Sequence, residues 1–499
     1  MRLSTRVSRW SLRAALGRFQ IKLFRQSSES VRHRGLQTMA GPPKPDPKKA
    51  DAGKKPAEDK AEQEDVEQVL FQGPLFGRES NLKANAKLVQ AALVPVKQMM
   101  SDALSRRAHT LLMEPREGRL SIRFVIDGMP YPAAAVPGQK GVAMVQMLKL
   151  LAGLDPNDRK SPQAGGIKAE FDGLPYNLMV ESVPAGGGAE RVRVKIENKK
   201  VVRQKPSEIG LPDHLKAKIR DFTSSRSGVI LICGPPDSGV TTLSIVTLHS
   251  VDPYLYSVYN LADMKGKELI NVTEFKPEPG HDLELTFDRI LRREADVIYL
   301  NPLTSPQDAQ TIFQYADRLS FIMEIPANTP TEAVKKLIEW VGVDEVIKGL
   351  KCVITQKLIR KLCDDCKQAF RPNPMLLKKL GLPPETSVLY RAPLPPPPDD
   401  PKAQTVEELC ADCDGVPYHG RAAVFEMLEM TDTMKEVFAA GAAPEAIRKQ
   451  MAEDGQTTLQ KDAIRLVAEG KTSLEEVQRT FSPGGPQKKA PPRPRPPGN

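Results

Sequence analysis

Two residue patterns in this sequence carry chemistry. The first is GPPDSGVTT, residues 234–242. A run of the form GxxxxGK[ST] wraps phosphate groups. Its glycines permit a tight turn, its backbone N–H groups at a helix N-terminus favour an anion, its lysine reaches the terminal phosphates, and its hydroxyl meets Mg²⁺. Here Gly234 and Gly239 hold the glycine positions, Asp237 and Ser238 complete the turn, and Thr241 and Thr242 supply hydroxyls, but position 240 is valine. Valine neither reaches a phosphate nor offsets charge that develops in phosphoryl transfer. Two readings stand: a degenerate nucleotide loop, with ATP and Mg²⁺ in doubt, or a plain glycine turn between a strand and a helix. The second pattern is CDDC (363–366) and CADC (410–413), separated by 43 residues. Two such knuckles offer four thiolates, Cys363, Cys366, Cys410 and Cys413, which suit tetrahedral Zn²⁺. A closed set of four leaves no open position, so the zinc is structural. The competing readings are four unrelated core cysteines or a redox dithiol. Cys233 and Cys352 sit in apolar stretches and read as core.

The elements that must position these residues follow from patterning. GVILICG, ending at Gly234, is a short apolar strand, and TTLSIVTLHS after the loop is helical. Strand, glycine loop, helix is the phosphate-loop context. Alternating strand and helix patterns continue to about residue 362, predicting an α/β domain with a largely parallel sheet over 206–362. Before it, residues 85–113 show helical spacing, LSIRFVIDGMPY (120–131) shows period two with a turn at Asp127-Gly128, and helix (141–154) and strand (167–196) patterns follow. This predicts a smaller α+β domain over 75–205. The cysteine module spans 363–425 and contains the proline-rich APLPPPPDDPKAQ (392–404). Residues 426–482 are helical and 483–499 a disordered tail.

The formal charge is +10, but residues 1–38 hold eight Arg and one Lys against one acid, Glu29. The folded part is nearer neutral, which argues against nucleic acid as partner. No apolar run approaches the ~18 residues that span a bilayer. Residues 1–38 read either as an organellar transit peptide or as an over-called start before Met39. Residues 39–68 are a polar linker, so 1–74 is expected to lack structure. Within that stretch VLFQGP (69–74) matches a picornaviral protease site used in expression vectors.

These motifs together resemble the type II secretion and type IV pilus assembly ATPases, the GspE/PilB family, over about residues 90–480. CADCDGVPYHGRAAVFEMLEM (410–430) is similar to its CxxCxGxGYxGRxxxxE segment, with Gly415, Tyr418, Gly420, Arg421 and Glu426 in place and Pro417 at the second glycine. QKLIRKLCDDCK (356–367) and TTLQKDAIRLVAEGKTSLEEVQR (457–479) resemble the stretches on either side. In the front domain, AHTLLMEP (108–115), SPQAGGI (161–167) and AERVRVKI (189–196), with Glu190 and Arg191, continue the likeness. Arg123 matches a phosphate-facing arginine, and Val125 replaces another.

The resemblance implies a RecA-like nucleotide domain preceded by the α+β domain and followed by the four-cysteine zinc module and C-terminal helices. It also implies a hexameric ring at the cytoplasmic face of the inner membrane that works with platform proteins. The departures fall where the chemistry should be. The first acidic box falls on Ala262-Asp263. In the Walker B stretch DVIYLNPLTS (296–305), Pro302 takes the glutamate position, and Thr304 and Ser305 replace an Arg and an Asp. The histidine box falls on SFIMEIPANTP (320–330) with Pro326 at the histidine, and no histidine lies between His281 and His419. The expectation is a pseudo-ATPase that joins a ring of its own kind or of active paralogues. The alternatives are an active hexameric ATPase drawing a lysine from elsewhere, Lys265 or Lys267, and a regulatory module without a ring.

Overall fold

The computed structural model describes residues 68–201, 203–264, 269–278, 280–393, 410, 412–413 and 415–482. The Arg-rich segment, the linker through residue 67, Lys265, Lys267, most of the proline-rich loop and the tail lie outside the described residues.

The first domain comprises β1 (Leu70–Pro74), α1 (Ala86–Ser105), β2 (Thr110–Arg116), β3 (Arg119–Ile126), β4 (Met129–Pro137), α2 (Gly138–Leu151), β5 (Gln163–Phe171), β6 (Leu174–Gly186) and β7 (Ala189–Asn198). Its strands form one antiparallel sheet in the order β1-β5-β6-β7-β2-β3-β4. Turn chemistry sets this meander. Glu117-Gly118, Asp127-Gly128, Asp172-Gly173 and Gly187-Gly188 join consecutive strands, and every one of these residues has positive φ. That conformation matches the twist of two-residue hairpins. On β3, Leu120, Ile122, Phe124 and Ile126 are buried in one core with Met99, Met100, Met144 and Leu148 from the two helices. Each such side chain contributes roughly 1.5–3 kcal/mol of burial. Arg123 and Val125 take the opposite face.

Two expectations change here. The helix ends at Ser105 and the chain re-enters as a strand at Thr110. Arg107 turns with φ 58°, and TLLMEPR alternates Leu111 and Met113 inward. Structure also begins before residue 75. Leu70–Pro74 pairs antiparallel with β5, and Val69 is buried. The boundary at 74 therefore cuts away an edge strand.

The second domain comprises α3 (Asp213–Thr223), β8 (Gly228–Cys233), α4 (Val240–Leu248), β9 (Val258–Asn260), β10 (Thr273–Glu274), α5 (Leu283–Leu291), β11 (Val297–Tyr299), α6 (Pro306–Tyr315), β12 (Ser320–Glu324), α7 (Pro330–Val341), α8 (Val343–Gly349) and β13 (Leu350–Leu362). The remaining elements are β14 (Gln368–Phe370), α9 (Pro374–Leu380), β15 (Leu389–Arg391), β16 (Tyr418–Glu429), α10 (Asp432–Ala439), α11 (Pro444–Glu453), α12 (Leu459–Ala468) and α13 (Leu474–Phe481). The main sheet runs β10-β9-β11-β12-β8-β13-β16, parallel except for the last pair. Its interior strand β8 is buried throughout, as an apolar run covered on both faces must be. β16 belongs to this sheet, so the expected boundary at 425 falls inside a strand. The cysteine module proper is the excursion between β13 and β16, with its own small β14–β15 pair. Among the described residues, no helix is long and apolar enough to cross a membrane.

Candidate functional site

The loop at 234–239 leaves the carboxyl end of β8, the edge where parallel α/β sheets place their ligands. It is held from below. Gly234 N donates to Ala327 O at 2.9 Å, and Gln356 Nε2 on β13 donates to Ser238 O at 2.7 Å. A Cβ on Gly234 would lie 2.5 Å from Gln356 O, and one on Gly239, where φ is 83°, would lie 2.6 Å from Gln356 Nε2. Gly234 is thus required by close approach to backbone, and Gly239 by its left-handed conformation. Ser238 is buried, and its Oγ has no hydrogen-bond partner. Thr241 is exposed and Thr242 half-buried on the first turn of α4. Val240 packs against the apolar cluster between α3, α4 and the sheet, with Cγ2 only 3.0 Å from where a Gly234 Cβ would stand. It closes over the loop's base where a lysine stem would reach outward.

Above the loop stands the outer face of the first domain's sheet. Arg191, Arg193 and Lys195 alternate along β7, and Arg123 lies on β3, in register with Leu112, which pairs on its other side with Arg193. These cations are engaged by carboxylates. Arg193 and Lys195 both pair with Asp237 of the loop, the latter at 3.4 Å. Arg123 and Arg191 pair with Glu114, Arg191 at 3.7 Å. The structure therefore brings Gly234, Asp237, Ser238, Gly239, Thr241 and Thr242 together, while Arg123 points to Glu114 of its own sheet. Burial pushes the Asp237 carboxyl up, but Lys195 and Arg193 outweigh it and hold it below its ordinary value. Glu190 is buried and serves the fold: it accepts from Lys149 Nζ and Ser182 Oγ, each at 2.7 Å. At Asp127-Gly128, Asp127 Oδ2 accepts from Gly420 N on β16 at 3.1 Å. His109 beside this contact is driven down to about 4 by burial, with Arg421 adding to the effect.

The carboxyl ends of the neighbouring strands complete the crevice. Glu324 ends β12 in register with Ile232 of β8 and accepts from Ser244 Oγ of α4 at 3.1 Å. Burial, with the Glu324 charge in second place, pushes the Tyr299 phenol up. Pro302 is exposed, and Ser305 caps α6 by accepting from Asp308 N. Pro326 is exposed, and its carbonyl accepts from Lys336 Nζ. Asp263 N donates to Asn301 Oδ1 at 3.0 Å.

The four cysteines converge. Their sulfurs lie within 4.8 Å of one another, with Cys363–Cys410 at 3.8 Å and Cys366–Cys413 at 3.7 Å. Four sulfurs at tetrahedral corners about 2.3 Å from one ion are about 3.8 Å apart. The donor set thus fits a four-coordinate metal. Asp412 Oδ2 lies 3.1 Å from Cys363 Sγ and 2.7 Å from His419 Nδ1, a carboxylate bracing the cluster from outside. Cys233 at the end of β8 and Cys352 near the start of β13 are buried, as core residues.

The family model described as "Type II/IV secretion system protein" matches residues 88–479. The chain belongs to this family. It is 24% identical over 391 residues to the type IV pilus assembly ATPase PilB of Thermus thermophilus, covering 77% of this chain and 42% of that protein. It is 26% identical over 392 residues to the type II secretion system ATPase E of Vibrio cholerae, covering 77% and 74%. The chain spans less than half the length of the first of these relatives. The solved structure of the Legionella pneumophila ATPase DotB superposes with a TM-score of 0.50 at 12% identity, covering 78% of this chain and 95% of that one, a likeness of fold. The fold is thus the RecA-like α/β domain with a preceding α+β domain, a four-cysteine cluster and C-terminal helices.

For a member of the secretion ATPase family, the residues that sequence reading missed are Arg193, Lys195, Gln356 and Glu324. The first two had a signal, since RVRVKI places three cations at period two on one strand face. Gln356 and Glu324 had none, because only the strand order β12-β8-β13 puts them beside the loop.

Proposed function

We propose that this chain is a non-hydrolysing member of the secretion and pilus assembly ATPase family, a structural or regulatory subunit of a type II secretion or type IV pilus machine. One observation carries the reading: the loop's surroundings supply carboxylates where a nucleotide needs cations. Val240 is half-buried against an apolar cluster, Asp237 and Glu324 flank the loop, and the nearby Arg123 and Arg193 are already paired with acids. Without lysine, the Walker B glutamate and the histidine, phosphate charge, attacking water and γ-phosphate have no dedicated partners. A structural Zn²⁺ bound by Cys363, Cys366, Cys410 and Cys413 ties the excursion to the ends of β13 and β16. A ring of this chain alone or with active paralogues, resting on inner-membrane platform proteins, is the assembly this reading supports.

The test is turnover of ATP with Mg²⁺ by the purified full chain. The expected result is a rate no different from that of T241A. Turnover that T241A abolishes would sink the proposal in favour of an active ATPase. That second reading draws on Glu324, a carboxylate at the end of the strand next to β8. It further requires that E324Q abolish the same turnover. For the ring, sedimentation equilibrium of a strict monomer, with and without nucleotide, counts against assembly.

A further inference from the structure

The two domains meet through charge at the loop itself. Asp237 stands at the tip of the turn with φ 61°, a left-handed conformation that Asp and Asn tolerate better than most residues. From there its carboxylate reaches Arg193 and Lys195, 44 and 42 residues earlier in the chain, on the face of β7 that overlooks α4. Arg193 Nε, like Arg123 Nε, is buried without a partner, so the stripe retains donor capacity beyond what the carboxylates fill. A cationic stripe over a glycine loop at a helix N-terminus is an anion site by construction. Here the anion is a side chain of the loop. A second clasp, Asp127 to Gly420 N, holds the same domain to β16.

We propose that Asp237 is a built-in anion that latches the first domain's sheet onto the phosphate loop, so that the chain keeps this arrangement with no phosphate between the two. The latch concerns the same site as the proposed function, but it stands or fails on domain coupling and not on turnover. It makes two claims. The carboxylate charge couples β7 to the loop, and it competes with external anions for the cationic stripe.

The experiment compares the full chain with D237N and R193Q by hydrogen exchange of segments 189–198 and 234–239. Asn keeps the left-handed turn and removes the charge, and R193Q removes the partner from the other side. Both variants are expected to exchange roughly three- to tenfold faster in these two segments, the effect of losing partly exposed pairs between elements. Calorimetry with inorganic pyrophosphate is expected to show binding at least about threefold tighter to D237N than to wild type. Unchanged exchange in both single variants would overturn the latch, as would pyrophosphate binding equal in wild type and D237N. Should the wild type hydrolyse ATP while these outcomes hold, the non-hydrolysing reading falls and the latch stands.

Discussion

Glu476 is the residue whose loss should do most damage for its size. It lies in the first turn of α13, 1% exposed. Its carboxylate accepts from the backbone N of Arg360 at 3.1 Å, from Arg360 Nε and Nη2 at 3.0 and 2.7 Å, and from Arg479 Nε at 2.7 Å. The Arg360 guanidinium stacks on the Tyr418 ring at 3.9 Å, and Tyr418 Oη is 3.1 Å from Ser473 Oγ, the cap of α13. One carboxylate thus joins β13, β16 and the last helix. E476A leaves Arg360, whose side chain is 12% exposed, without its counter-charge. Breaking a pair of this kind costs about 3–5 kcal/mol, most of it the penalty of the stranded cation. E476Q keeps the shape and one acceptor but also removes the counter-charge and turns an amide donor toward the guanidiniums, so it should cost nearly as much. Urea unfolding followed by circular dichroism measures both, with amide exchange over 457–481 read in parallel. Burial pushes the Glu476 carboxyl up, but Arg479 and Arg360 outweigh it and hold it below its ordinary value. Its contribution is therefore complete above the unfolded pKa and lost as pH falls through the lower native one. A loss under about 1 kcal/mol for E476A at pH 7 would refute the argument, because it would mean water reaches Arg360 once the carboxylate is gone.

Further outcomes follow from the same structure. C413S, at a sulfur 3.7 Å from that of Cys366, is expected to drop the metal content below about half a zinc per chain under reducing conditions; elemental analysis at full zinc occupancy would contradict it. His109, native pKa about 4, is neutral in the fold, so the unfolded chain binds the extra proton between that value and 6.5. Its share of stability falls as pH drops through this window, by no more than about 3 kcal/mol, and urea titrations of H109Q should lack that slope. The protease that cuts LFQGP is expected to cleave the full chain at least about tenfold more slowly than a free peptide of this sequence, because β1 must first leave β5; equal rates on a gel time course would show the strand is not held.

Local chemistry was readable in advance wherever it is written in neighbouring residues. Asp127-Gly128 announces its hairpin, the glycine loop follows an apolar run, and the CxxC pairs need only each other. What escaped depends on distant partners. β1 carries Gly and Pro and pairs with a strand about a hundred residues away, Leu70 opposite Glu170, so nothing local marks it. Leu111 and Met113 stand at the period-two spacing of a strand, but they follow a helical run with no Gly or Pro between, and the turn at Arg107 is what separates the two. β16 reads as the end of a cysteine module until its register with β13, Cys352 opposite Glu429, places it in the main sheet. The site suffered likewise. Its motif residues were named from the sequence, but the grip of Arg193 and Lys195 on Asp237 is a fact of docking that one strand's pattern only hints at.

Since β13 and β16 are antiparallel neighbours, with Arg360 opposite Arg421 and Leu362 opposite Tyr418, the whole stretch 363–417 is topologically one hairpin loop. Its two ends leave and rejoin the sheet side by side. In genetic terms it is a cassette: a coding segment that can be exchanged for a two-residue turn with the strand order of the main sheet unchanged. Its fate can therefore diverge from that of the domain that carries it, and a lineage can keep the cassette long after the loop beside it has changed its chemistry.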